Sequence, residues 1–226
     1  MARSLRLEIN IALLPELRLA NNFIKASLGI ASRHDAIVRL GVTDAKLSLV
    51  PHLTLYQAAL PIKKILTLDK ELAIIAHNER QHNLASIGLS YNDKEGSVED
   101  RKEVTDSLVD LQESVISRVN PLRDGLLVEH DPAGNNVADL LHASGQLGEN
   151  IRNTGYGEVG DPRTGGLFRP HDTLNWLSPN TQIDIAYEQS FLSIADMSGS
   201  YNAIGLFAMG PYGTCSQLLQ RYDLTA

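Results

Sequence analysis

The stretches LVPHLTLYQ (Leu49–Gln57) and FRPHDTLNW (Phe168–Trp176) decide the reading of this chain. Each contains Pro-His-x-Thr-Leu, and the two histidines stand 119 positions apart. Threonine favours strands, and proline is tolerated at a strand's first residue. Side chains on a strand alternate between faces, so His52 and Thr54 point one way while Leu53 and Leu55 point into a core. The same alternation sets His171 and Thr173 against Asp172 and Leu174. On this period Tyr56 falls on the face of His52 and Thr54.

Working outward, Leu5, Leu7, Ile9, Ile11 and Leu13 alternate with Arg6, Glu8 and Asn10, the pattern of a half-buried strand. Leu17, Leu19, Phe23, Ile24 and Leu28 then follow helical spacing, closing near Gly29. Strands are expected over Val38–Leu40 and Leu47–Leu55, a helix from Leu66 to about Glu79, and a strand over Leu84–Tyr91. Asn92–Gly96 is a turn before a strand near Ser97–Val104. Leu108, Leu111, Val115, Ile116 and Val119 form an amphipathic stripe that Pro121 ends.

Val137–Leu147 is expected to be a short helix. Gly155, Gly157, Gly160, Gly165 and Gly166 then crowd a stretch read as a mobile loop. Gln182–Leu192 has helical spacing, Ser200–Met209 reads as a strand, and Cys215–Tyr222 as a terminal helix or an extended tail. Mixed elements with hairpin signals predict an α+β fold with antiparallel sheets. The chain, residues 1–226, is expected to form a single two-lobed domain.

If the halves pack about an approximate two-fold axis, two imidazoles and two hydroxyls converge on one cleft. That set suits phosphodiester cleavage. One neutral histidine takes a proton while the other, protonated, gives one to the leaving oxygen. The hydroxyls of Thr54 and Thr173 stabilise charge on the phosphate oxygens. No metal and no cofactor is needed. Tyr56, Tyr212 and Arg169 are further candidates for contact with substrate.

Two His-x-Thr motifs on strands with apolar neighbours resemble the signature of the two-histidine phosphoesterase superfamily, which includes LigT-like RNA ligases and cyclic phosphodiesterases. The resemblance also covers the N-terminal strand running into LLPELRLANNFIKA and a C-terminal strand. It implies a pseudo-symmetric fold with sheets lining a central cleft and helices outside. It also implies metal-independent action on 2′,3′-cyclic phosphates or 2′–5′ linkages of a nucleotide or RNA terminus. Catalytic roles carry over to His52 and His171, and phosphate binding to Thr54 and Thr173.

Asp172 departs from the family's pattern, because an apolar residue is usual there; if buried it needs a partner. It also motivates an alternative, a nucleotide- or phosphate-binding module without turnover. The spacing between motifs exceeds that of compact members, and the excess is placed at about 131–166. Such an insertion would shape substrate choice or act as a lid.

The remaining motifs point elsewhere. His142 also begins a His-x-Ser, but residues two apart on a helix lie about 200° apart around the axis and do not aim together. His77 and His82 are five apart rather than the four of a helical metal pair, and are read as solvated. Cys215 is the only cysteine, so no internal disulfide forms. The glycines form no dinucleotide-binding fingerprint. A formal charge of −7 argues against a long nucleic-acid groove. No apolar run suggests a membrane span. Glu8, Asn10 and Glu16 interrupt the apolar residues after Arg3 and Arg6, so a cytoplasmic protein is expected.

Overall fold

The computed structural model describes residues 5–41 and 49–226. Leu47 and Ser48, where the first motif strand is expected to begin, lie outside the described residues. Among the described residues, nine strands and six α-helices follow in the order β1 (Arg6–Pro15), α1 (Leu17–Ala31), β2 (Ala36–Arg39), β3 (Leu53–Pro61), α2 (Ile65–Asn78), β4 (His82–Leu84), β5 (Ser86–Asn92), β6 (Ser97–Lys102), α3 (Asp106–Val119), α4 (Val137–Leu140), α5 (Gly145–Thr154), β7 (His171–Leu177), α6 (Ile185–Gln189), β8 (Gly199–Met209) and β9 (Cys215–Asp223).

The strands form one sheet, ordered β4-β8-β1-β3-β7-β6-β5, with β9 also on β8 and β2 also on β7. All its ladders are antiparallel. It divides naturally into two lobes, one holding β1, β3, β4, β8 and β9, the other β2, β5, β6 and β7. Among the described residues the lobes share a single ladder pair, Leu53 opposite Asp172.

Helices α1 and α3 pack against the face of the sheet away from the cleft, whereas α4 and α5 contribute to the cleft wall. Phe23, Ala26 and Ile30 of α1 are buried, and the stripe Leu108, Leu111, Val115, Ile116 and Val119 of α3 is buried as its spacing requires. Full burial of each large aliphatic side chain contributes about 1.5–3 kcal/mol. The Thr105 hydroxyl caps α3 by accepting from the Leu108 amide at 3.2 Å. No helix among the described residues is long and apolar enough to cross a membrane.

Two expectations need correction. The helix expected over Val137–Leu147 is instead two pieces. Gly145 at φ 71° breaks the helical path, and α5 runs on to Thr154. The glycine-rich stretch is tied down by side chains. The Asn150 amide donates to the carbonyls of Gly157 (2.8 Å) and Val159 (3.2 Å), and that of Gln112 to Glu158 (2.8 Å). The C-terminal segment takes the extended alternative and pairs with β8. Near α2, His82 is buried with Nε2 3.1 Å from Glu79, whereas His77 is exposed.

Candidate active site

The Leu53–Asp172 pair places the two motifs side by side. In an antiparallel ladder their neighbours then meet crosswise, His52 beside Thr173 and Thr54 beside His171. Leu53 and Asp172 face the core, both with no exposure. His52, Thr54, His171 and Thr173 line one cleft of about 630 Å³. Its outer wall includes Pro132, Val137, Leu147 and Ile151 from the segment expected to be an insertion.

Each motif is followed by a β-bulge. On β3, Thr54 pairs with Ala12 and Tyr56 with Ile11, leaving Leu55 as the extra residue. On β7, Thr173 pairs with Glu99 and Asn175 with Val98, leaving Leu174 extra. A bulge inserts one residue and reverses the alternation beyond it. Gln57 and Trp176, each five positions past its histidine, therefore face the cleft.

The bulge overturns one expectation directly. Tyr56 lies on the core side with no exposure, and its hydroxyl donates to the Thr154 carbonyl at 2.5 Å. It does not reach the cleft.

Both imidazoles are held in the same way. Nδ1 of His52 lies 2.7 Å from the Val50 carbonyl, and Nδ1 of His171 lies 2.6 Å from the Arg169 carbonyl. A carbonyl only accepts, so each Nδ1 carries hydrogen and donates. Each Nε2 is left to gain or lose a proton in the cleft.

The surroundings of the two rings differ. Burial lowers the pKa of His52, against the opposing pull of the Val50 carbonyl and the Asp172 charge. His171 has the Glu99 carboxylate 3.8 Å from its Nε2, an ion-pair separation. Burial pushes Glu99 up, but His171, Arg169 and the Ser97 hydroxyl outweigh it and hold the carboxyl below its usual range.

Asn10 positions Thr54. Its amide donates to Thr54 Oγ1 at 3.1 Å and to the Gly213 carbonyl at 2.8 Å. Because Thr54 accepts from Asn10, its own hydroxyl hydrogen stays available to a ligand. Gly213, at φ 70°, packs so closely that a Cβ would come within 2.5 Å of the Gln57 amide nitrogen. This turn carries Tyr212 in the left-handed region at φ 59°. The Tyr212 ring lies 6.0 Å from that of Trp176 on the cleft wall.

Arg169 lines the cleft but is engaged. Its guanidinium contacts Glu99 at 2.7 Å, Glu158 at 2.9 Å and Glu95 at 3.5 Å. Asp172 is partnered at one oxygen: the Tyr201 hydroxyl donates to Oδ2, and Lys102 Nζ lies 3.5 Å from it, while among the described residues the buried Oδ1 has no hydrogen-bond partner. Lys102 also pairs with Asp100 and donates to the Met197 carbonyl at 2.6 Å. Asp172 faces away from the cleft and does not meet a ligand there, while its charge acts on His52 from the core side. His142 is exposed and lies outside the cleft. Cys215 is buried, and burial pushes its thiol well above the usual value. Among the described residues no cluster of His, Cys, Asp and Glu is arranged to hold a metal ion.

Sequence reasoning missed Asn10, Gln57, Glu99 and Trp176. Asn10 has the look of a solvent-facing residue on an alternating strand, and the other three depend on bulges or on pairing between distant strands.

No family model matches the chain, and no curated protein matches it closely. Similarity to solved structures extends over nearly the whole molecule. Escherichia coli LigT complexed with 3′-AMP aligns with a TM-score of 0.54 at 14% identity, covering 97% of this chain and 99% of that one. A crystal structure described as a phosphoesterase gives 0.55 at 14% identity, over 98% and 100%. A Thermus thermophilus protein gives 0.56 at 14% identity, over 96% and 97%. The antiparallel sheet, the helices packed on it and this full-length correspondence together show that the chain has the LigT-like fold.

Proposed function

We propose that the protein is a phosphodiesterase that opens a 2′,3′-cyclic phosphate or cleaves a 2′–5′ linkage at a nucleotide or RNA terminus. The observation that carries this reading is the crosswise pairing of two His-Thr couples on one cleft wall. A phosphate seated between the couples meets an imidazole nitrogen on either side. His52, whose burial favours the neutral ring, acts as general base and takes a proton from water at Nε2. His171, beside Glu99, acts as general acid and gives its Nε2 proton to the leaving ribose oxygen. Thr54 and Thr173 donate to the non-bridging oxygens as negative charge builds.

Two imidazoles in unlike surroundings divide the acid and base roles in the manner required near neutral pH. The LigT structures complexed with 3′-AMP, phosphate and ATP support a small nucleotide as the ligand class. Tyr212 and Trp176 offer an aromatic wall to a base.

The test is hydrolysis of adenosine 2′,3′-cyclic phosphate in EDTA. Turnover should persist with the chelator. It should fall by about 10²–10⁴ in His52→Ala and in His171→Ala, the range for loss of a general acid or base. Both variants should melt as the parent does. Undiminished activity in both would remove the mechanism.

A further inference from the structure

The cleft contains two arginines in opposite states. Arg169 is paired with three carboxylates. Arg101 lines the same cleft, yet among the described residues it makes no ion pair within 4.0 Å, and its buried Nε has no hydrogen-bond partner. Arg101 is half-buried, so only its Nε is cut off from water without a partner, and a guanidinium's donors are suited to phosphate or carboxylate oxygens.

Register fixes where Arg101 points. On β6 it stands directly opposite His171 of β7, so both side chains leave the sheet on the cleft face. Its neighbours Asp100 and Lys102 face the buried cluster with Asp172 and Tyr201. On the other side of β6, Arg101 stands opposite Gly88 of β5, which supplies no side chain to cover it. Ser90, two residues along β5, lines the cleft as well, and its buried Oγ also lacks a partner. Two unsatisfied donors thus sit together on the His171 flank, displaced from the line between the two couples.

The geometry points to an anion subsite formed by Arg101 and Ser90, which takes a second phosphate of the substrate, one ribose away from the phosphate that reacts. This rests on the phosphodiesterase reading and narrows its substrate class to nucleotides or RNA ends that carry a 5′-phosphate. Directly opposed residues have Cβ atoms about 5 Å apart. From such a position beside His171, a long arginine reaches past the reacting centre to the 5′ side of a nucleotide. Glu99 and Glu158 act on Arg101 through space, but among the described residues neither comes within ion-pair distance of it, so its guanidinium stays open to an added anion.

The experiment compares adenosine 2′,3′-cyclic phosphate with the same nucleotide bearing a 5′-phosphate. In the parent protein kcat/KM should be at least about 10-fold higher for the 5′-phosphorylated form, the scale of one charge-assisted contact. Arg101→Gln should bring that ratio close to one, and Ser90→Ala should lower it by a smaller factor. Thermal melting checks that both variants fold. A parent ratio near one overturns the subsite. So does an equal loss on both substrates in Arg101→Gln, since that outcome places the guanidinium on the reacting phosphate. If neither nucleotide is hydrolysed, the phosphodiesterase reading fails separately. Calorimetry with adenosine 3′,5′-bisphosphate and 3′-AMP then decides the subsite. Tighter binding of the bisphosphate that disappears in Arg101→Gln supports it, and equal affinities refute it.

Discussion

The two motif strands share one backbone design and differ in charge. On β3 and on β7 alike, a proline precedes the histidine, Nδ1 bonds the carbonyl two residues back, and a bulge follows the threonine. Around His52 the structure supplies burial and the neutral amide of Asn10 on Thr54. Around His171 it supplies the carboxylate of Glu99. Repetition of the backbone brings two like couples to one cleft, and in the proposed reaction the unlike surroundings give them different work. On that reading a symmetric scaffold runs an asymmetric reaction because a few side chains outside the motifs break the symmetry.

That comparison can be broken at the threonines first. Thr54→Val and Thr173→Val each remove one hydroxyl facing the phosphate and should each lower kcat by about 10², the lower end of the effect of deleting an oxyanion donor. Steady-state kinetics on a cyclic nucleotide would show it. A loss confined to one variant would mean that only one couple touches the phosphate.

The charge difference predicts a shape for the pH–rate profile. Burial lowers the pKa of His52, so the base stays neutral as pH falls and the acid limb lies below the ordinary histidine value of about 6.5. Glu99 lies 3.8 Å from Nε2 of His171. Glu99→Gln should lower kcat/KM by about 10-fold, the scale of one charge-assisted contact, and leave the acid limb in place. An unchanged kcat/KM would remove Glu99 from the mechanism.

The smallest effect tests the bulge. Tyr56→Phe removes a buried hydrogen bond to Thr154 and should cost about 1 kcal/mol of stability, read from denaturant unfolding. It should leave kcat/KM unchanged, because the ring faces the core. A kinetic defect without a stability change would put the hydroxyl back in the cleft.

The architecture and the paired motifs were legible because strong local signals carry them. Alternation revealed β1, the apolar stripe revealed α3, and repetition marked His52, Thr54, His171 and Thr173. Period-two reasoning failed where the chain departs from period two. Leu55 and Leu174 are ordinary strand residues, and nothing about them announces that Tyr56 turns inward while Gln57 and Trp176 turn out. Asn10 belongs to a pattern that suggests solvent, yet it is fully buried, with its amide bonded to the carbonyl of the Gly213 turn, which the local pattern does not reveal. Glu99 and Arg101 matter through their register with β7, which is long-range information. The Val137–Leu147 helix failed because its spacing continued across Gly145, where the backbone did not.

Among the described residues one rung of backbone pairing joins the halves of the sheet, at Leu53 and Asp172. The ladder there offers little resistance to tilting, so the spacing of the two couples is governed by what is wedged beneath the seam. That wedge is the cluster of Lys102, Asp100, Asp172 and Tyr201, with side chains from β6, β7 and β8. If the cleft is the reacting centre proposed above, residues that never meet the ligand support its aperture, and trimming them should alter it.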